Sequence, residues 1–414
     1  MDFILKYKKI IIIIAFIAFI LIMGYFIYAL FFKPTPIEEP APGPDTTGPS
    51  RLPEAETGPG QIVPTPGTGL LPTEPGKDIK EQPKPSATAQ GGLTETKALT
   101  HLPSSGMSLT KDGNNLQYYN ETDGKFYRVN NNGELTTLSN KIFHNVSRVS
   151  WSPDKEKAIL EYPDGANIVY NFTTDKQITL PKHWKDFEFS PSGNQIVMKS
   201  IGLDPDNRWL AVSSDDGSKT RAIEPLGDKD ATVYPSWSPN NQTIAMYTEG
   251  IDFDRQEIFF VGLNNENFKS TVIEGRGFQP LWAPEGDKLV YSVYSSKNDL
   301  KPMLWSVNAQ GESIGSGRKS LGVETWAEKC AFSGKEEVYC AVPENLEEGA
   351  GLFPELAKST SDRLYKINIR TGLKRLVAIP DNDYNMSNLI ISDNGYNLYF
   401  TNETTKQIHT IKLK

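Results

Sequence analysis

The chain has 414 residues, 51 acidic against 43 basic side chains, a formal net charge of −8 and two cysteines. No basic stripe occurs beyond the first nine residues, so a nucleic-acid-binding surface is excluded. The length has room for two or three average domains, but the composition divides the chain differently.

Residues 1–9 carry Lys6, Lys8 and Lys9 and read as a cytoplasmic tail. Residues 10–32 are unbroken apolar sequence, enough for a helix to cross about 30 Å of hydrocarbon. Positive charge before it, and Glu38 and Glu39 soon after it, orient the N-terminus inside and the remainder outside. No small-residue cleavage site follows, so the segment is expected to be an uncleaved single-pass signal anchor in the cytoplasmic membrane. Residues 33–93 are more than a third Pro and Gly between Pro34 and Gly92, without a period of 2 or 3.6, and are expected to be a disordered linker.

From residue 94 to 414 a short block recurs seven times. Its clear copies are Trp151-Ser-Pro-Asp154, Phe189-Ser-Pro-Ser-Gly193, Trp237-Ser-Pro-Asn240 and Trp282-Ala-Pro-Glu-Gly286. Weaker copies begin at Leu109, Phe332 and Ile391. Ser, Pro and Gly at the first, second and fourth positions suit a type I turn, so each copy predicts a hairpin corner. The strand after each corner is apolar on nearly every residue, as in Gln195–Lys199 and Thr243–Tyr247, which fits a sheet packed on both faces. These features predict an all-β, seven-bladed β-propeller. The last repeat lacks an outer strand, and residues 95–100 resemble one, so they are expected to close the last blade. Six or eight blades stay open, because the outer strand of the fifth blade, within 312–323, is poorly marked.

The apolar-Ser-Pro-Asp-Gly blocks resemble the TolB-like, or WD40-like, β-propeller family over residues 95–414. That resemblance implies the fold and does not specify an activity. TolB itself has an α/β domain where this chain has its apolar span and linker, so TolB's partners are not carried over. Prolyl-oligopeptidases use a similar propeller, but no hydrolase domain with a Gly-x-Ser-x-Gly nucleophile elbow is recognised here, and hydrolysis is not expected.

Cys330 and Cys340 fall on the first two strands of blade six. Pairing of Phe332 with Val338 would place them opposite each other, either as a disulfide or as two small buried thiols. His101, His144 and His183 precede the turns of blades one, two and three by seven to nine residues. They are expected to be dispersed on exposed connectors with no metal; convergence at the channel mouth, making a divalent-metal site and a carbohydrate lyase, is the alternative. Asp230 holds the corresponding place before blade four.

The longest loops join second to third strands in blades three to six, on one arc of one rim. They supply the candidate partner-binding residues Asp204, Asp206, Asp252, Asp254, Arg255, Glu347, Phe353 and Leu356. The expected function is a non-catalytic, membrane-tethered scaffold that binds an envelope protein or polysaccharide, needs no cofactor, and binds no nucleic acid. A purely structural envelope component is the further alternative.

Overall fold

In five of the seven repeats the turn block is held by its own first hydroxyl. In blade two, Lys155 N donates to Ser152 O at 2.9 Å, and Lys157 N donates to the Ser152 hydroxyl at 3.2 Å. Thr110, Ser190, Ser238 and Ser392 accept in the same way from the residue five positions on. The fourth turn position is left-handed, with φ of 69° at Gly113, 72° at Gly193 and 68° at Gly395. Glycine enters that region without steric cost, which explains its place in the motif.

A computed structural model of the chain describes residues 16–23, 25–26, 84–264, 266 and 268–414. Seven antiparallel meanders form, with first strands at Ser104–Leu109, Arg148–Trp151, Trp184–Phe189, Val233–Pro235, Arg276–Trp282, Cys330–Phe332 and Met386–Ile391. First strands of adjacent blades approach one another at five of the seven seams, including that of blades seven and one. Second strands are buried along nearly their whole length, as in Leu116–Asn120. Their side chains fill the seams between blades: Met246, Ile258 and Phe260 of blade four pack with Phe278, Leu289 and Tyr291 of blade five. Blade five keeps only a two-residue outer strand, Lys319–Ser320, which accounts for its weak sequence signal.

The last blade is built from both ends of the described propeller. Thr96–Ala98 pairs antiparallel with Gln407–Lys412, Thr96 opposite Ile411 and Ala98 opposite His409. The preceding residues depart from expectation. Leu93–Thr94 runs parallel to Lys374–Pro380 and gives blade six a fifth strand. Ala89 N donates to Lys412 O, and Gly91 N to Val377 O, both at 2.8 Å. Residues 84–93, expected in the linker, therefore belong to the folded edge and staple blade six to blade seven. Composition concealed this because the attachment is made by backbone groups, which leave no periodic side-chain pattern.

Residues 16–23 and 25–26 are helical. The cytoplasmic tail, most of the expected 10–32 span and residues 33–83 of the linker lie outside the described residues. Among the described residues, no helix is long and apolar enough to cross a membrane.

Candidate functional site: the loop rim of blades three to six

The four long loops are residues 202–207, 251–254, 295–302 and 344–361, each leaving a buried second strand and returning through a third. Those of blades four, five and six are joined edge to edge. Arg276 Nη1 donates to Asp252 O at 2.8 Å, and Ser296 N donates to Asp254 Oδ1 at 2.7 Å, tying blade four to blade five. Gly349 N and Gly351 N donate to Asp299 O and Leu300 O at 2.8 Å, tying blade six to blade five. Ser361 Oγ donates to Asp383 Oδ1 at 2.9 Å, reaching the connector into blade seven. Connectors between blades share this face: Arg208 pairs with Asp230 at 3.5 Å, and Lys297 with Glu274 at 3.0 Å.

The acidic candidates are engaged within this lattice. Asp204 caps a short turn by accepting from Asp206 N at 3.1 Å. Asp252 accepts from Arg255 at 2.7 Å, and that bond holds its carboxyl below the usual range. The bonds from Ser296 do the same for Asp254. Glu347 lends its backbone carbonyl to Ala350 N at 3.2 Å. Four of the six charged loop candidates, Asp204, Asp252, Asp254 and Arg255, thus shape the loops with their side chains, while the apolar ones project outward. Phe253 is 61% exposed and Phe353 58%, the only two exposed phenylalanines among the described propeller residues. Leu203, Ile251, Leu352 and Leu356 are also exposed on the same arc. Sequence reading missed Leu203, Ile251 and Phe253; their signal was an apolar residue at the tip of a loop flanked by Asp.

At the end of the arc, the loop of blade six meets blade seven over a hollow of about 580 Å³ lined by Trp326, Lys329, Lys358, Asn385 and Glu403 among others. Lys329 at its floor is buried and pairs with the buried Asp362 at 2.7 Å.

His101, His144 and His183 are all exposed and do not converge. His183 lies edge-on to Trp184, and His144 borders a separate hollow with Lys141, Tyr162 and Asp164. Among the described residues, no group of three or more His, Cys, Asp or Glu is placed to hold a metal ion. Connector positions equivalent in sequence are spread around the ring, so equal spacing did not bring the side chains together.

Cys330 stands opposite Cys340 in register, and the two are disulfide-linked. One Gly-x-Ser-x-Gly spacing does occur, Gly311-Glu-Ser313-Ile-Gly315, and corrects the reading that none exists. It forms a 3-10 turn between the third and outer strands of blade five, and Ser313 donates its hydroxyl to Gln310 O at 2.6 Å. That is no strand-to-helix elbow.

No protein-family model and no curated protein matches the sequence. Solved structures do match. Tricorn protease shares 12% identity over 81% of this chain and 35% of its own, with a TM-score of 0.51. A prolyl endopeptidase shares 11% over 75% of this chain and 50% of its own, at 0.50. Oligogalacturonate lyase from Vibrio parahaemolyticus shares 12% over 77% and 93%, at 0.49. At such identities the common property is the fold.

Proposed function

We propose that the propeller is the presenting head of a membrane-tethered, extracytoplasmic binding protein that docks a protein of the envelope without chemistry of its own. The observation carrying this reading is the concentration of exposed Phe and Leu side chains on one arc whose Asp204, Asp252 and Asp254 carboxylates hold the loops in place. Rigid loops bearing projecting anchors lower the ordering cost of association, and such anchors supply most interface energy. Aliphatic tips at Leu203, Ile251, Leu352 and Leu356 offer sugar hydroxyls no hydrogen bond, which favours a protein over a polysaccharide. The Cys330–Cys340 disulfide fits an oxidising compartment, in keeping with the apolar span and the basic residues before it.

The test is photo-crosslinking in intact cells from a probe placed at Phe353, with the same probe at Leu373 as reference. Leu373 is 74% exposed but lies in the hairpin joining third and fourth strands, on the opposite face. A discrete protein adduct from Phe353 alone is expected. Equal labelling from both positions would refute the rim as the docking surface.

A further inference from the structure

Lys329 meets Asn385 and Asp362 where blade six abuts blade seven, placing an amine in contact with both a carboxamide and a carboxyl. Lys329 ends the short turn Ala327–Lys329 that leads into the first strand of blade six, and its side chain is only 7% exposed. Its Nζ donates to Asn385 Oδ1 at 2.8 Å and lies 2.7 Å from Asp362 Oδ2. Asn385 immediately precedes the first strand of blade seven. Its amide is gripped from the far side, Nδ2 donating to Ala357 O and Lys358 O at 3.0 Å each. Two carbonyl acceptors there fix the orientation of the amide and turn its oxygen toward the lysine. Asp362 is fully buried; Met386 N donates to its Oδ2 at 2.6 Å, and its Oδ1 has no partner. Buried Trp326, Tyr384 and Met386 belong to the segments that converge at this seam.

A buried ion pair alone returns little stability, because desolvation offsets its attraction. It also gives no reason for a clamped amide on the third side. We propose that Lys329 and Asn385 react to form an intramolecular isopeptide bond, with Asp362 as the proton carrier, joining blade six covalently to blade seven.

The Lys329 ammonium passes one proton to Asp362, and the freed amine attacks Asn385 Cγ. The tetrahedral carbon then collapses: the new C–N bond to Nζ stays and the bond to Nδ2 breaks. Nδ2 receives the proton held by Asp362 and the second proton lost by Nζ, and departs as ammonium. Asp362 returns to its carboxylate, and no oxidant, reductant or co-reactant is consumed. Burial raises the Asp362 carboxyl above its ordinary range, with Lys329 opposing, which suits a group that must hold a proton in transit. The hollow bordered by Lys329, Asn385 and Lys358 opens beside the leaving nitrogen and gives the ammonium an exit.

The test is the intact mass of the full chain after reduction and denaturation, followed by digestion. The wild type is expected to weigh less than its sequence by one ammonia and to yield a branched peptide joining the Lys329 and Asn385 segments. Lys329→Arg, Asn385→Ala and Asp362→Asn are each expected to show the full mass of their own sequences. The branched wild-type peptide decides without relying on any variant's fold. A wild type at full mass would overturn the proposal. So would an ammonia loss that persists in Lys329→Arg, since the reaction would then lie elsewhere.

Discussion

Asp254 of blade four accepts two hydrogen bonds from Ser296 of blade five, from the backbone N at 2.7 Å and from the hydroxyl at 2.5 Å. An acidic residue at a loop tip reads as a ligand for something outside the protein. Here both carboxylate oxygens already face the neighbouring loop, so the residue shapes the rim.

Asp254→Ala should therefore loosen the rim without unfolding the ring. The melting temperature is expected to stay close to wild type, while hydrogen exchange of residues 251–254 and 295–300 speeds up together. Unchanged exchange in both loops would show that the bonds do not couple them.

The turn motif makes opposite predictions for one position in two blades. Lys155 occupies the left-handed fourth position with φ of 61°, where glycine stands at 113 with φ of 69°. Lys155→Gly is expected to gain up to about 1 kcal/mol by relieving backbone strain, less what the more flexible unfolded chain takes back. Gly113→Ala should lose more than about 1 kcal/mol, because a Cβ there also runs into Asp393 of blade seven. Chemical denaturation of both variants checks the pair of signs.

Ring closure should depend on more than residues 95–100. A chain beginning at Lys84 keeps every described contact of the staple. One beginning at Gly91 loses the Ala89–Lys412 bond and should melt slightly lower. One beginning at Gly106 also lacks Thr96–Ala98, exposes the edge of blade seven and should aggregate. Equal melting temperatures for the first and last would contradict the closure.

His409 makes stability fall in acid. Its imidazole is buried between Tyr384 and Phe400, at centroid distances of 4.8 and 5.4 Å, and neither nitrogen has a partner. Burial pulls its pKa below the ordinary 6.5, with Asp381 opposing. The unfolded chain thus binds the proton more readily than the folded one. Stability is complete above about pH 6.5 and declines as pH falls below it. His409→Phe should flatten that part of the profile in pH-dependent denaturation. An unaltered acid slope would assign the effect to other groups.

The propeller was legible because its turn chemistry repeats: a Ser-Pro block marks each first hairpin, and a both-faces-apolar strand follows it. The seam residues were not, since nothing near Lys329 or Asn385 in sequence announces that positions 56 apart will touch. The fifth strand of blade six was hidden for a related reason, as backbone pairing by Leu93 and Thr94 leaves no side-chain signature. At the rim, the sequence located the loops and the anchors Phe353 and Leu356, but in the blade-four loop it picked out Asp252 and Asp254 and passed over Phe253. Only geometry shows that Asp252 and Asp254 are engaged, whereas Phe253 between them is free. The alternative of converging histidines is not met, because equal offsets from a repeated turn separate side chains around a ring.

The most direct measurement is capture of the Phe353-crosslinked partner by wild-type protein and by the triple variant Phe253→Ser, Phe353→Ser, Leu356→Ser. Exposed anchors of this kind commonly contribute about 2 kcal/mol each, so the triple variant should weaken binding by at least a hundredfold. Its melting temperature should remain within a few degrees of wild type, since all three side chains lie outside the blade core. Binding within a few-fold of wild type, by a variant that melts normally, would contradict the rim as the docking surface.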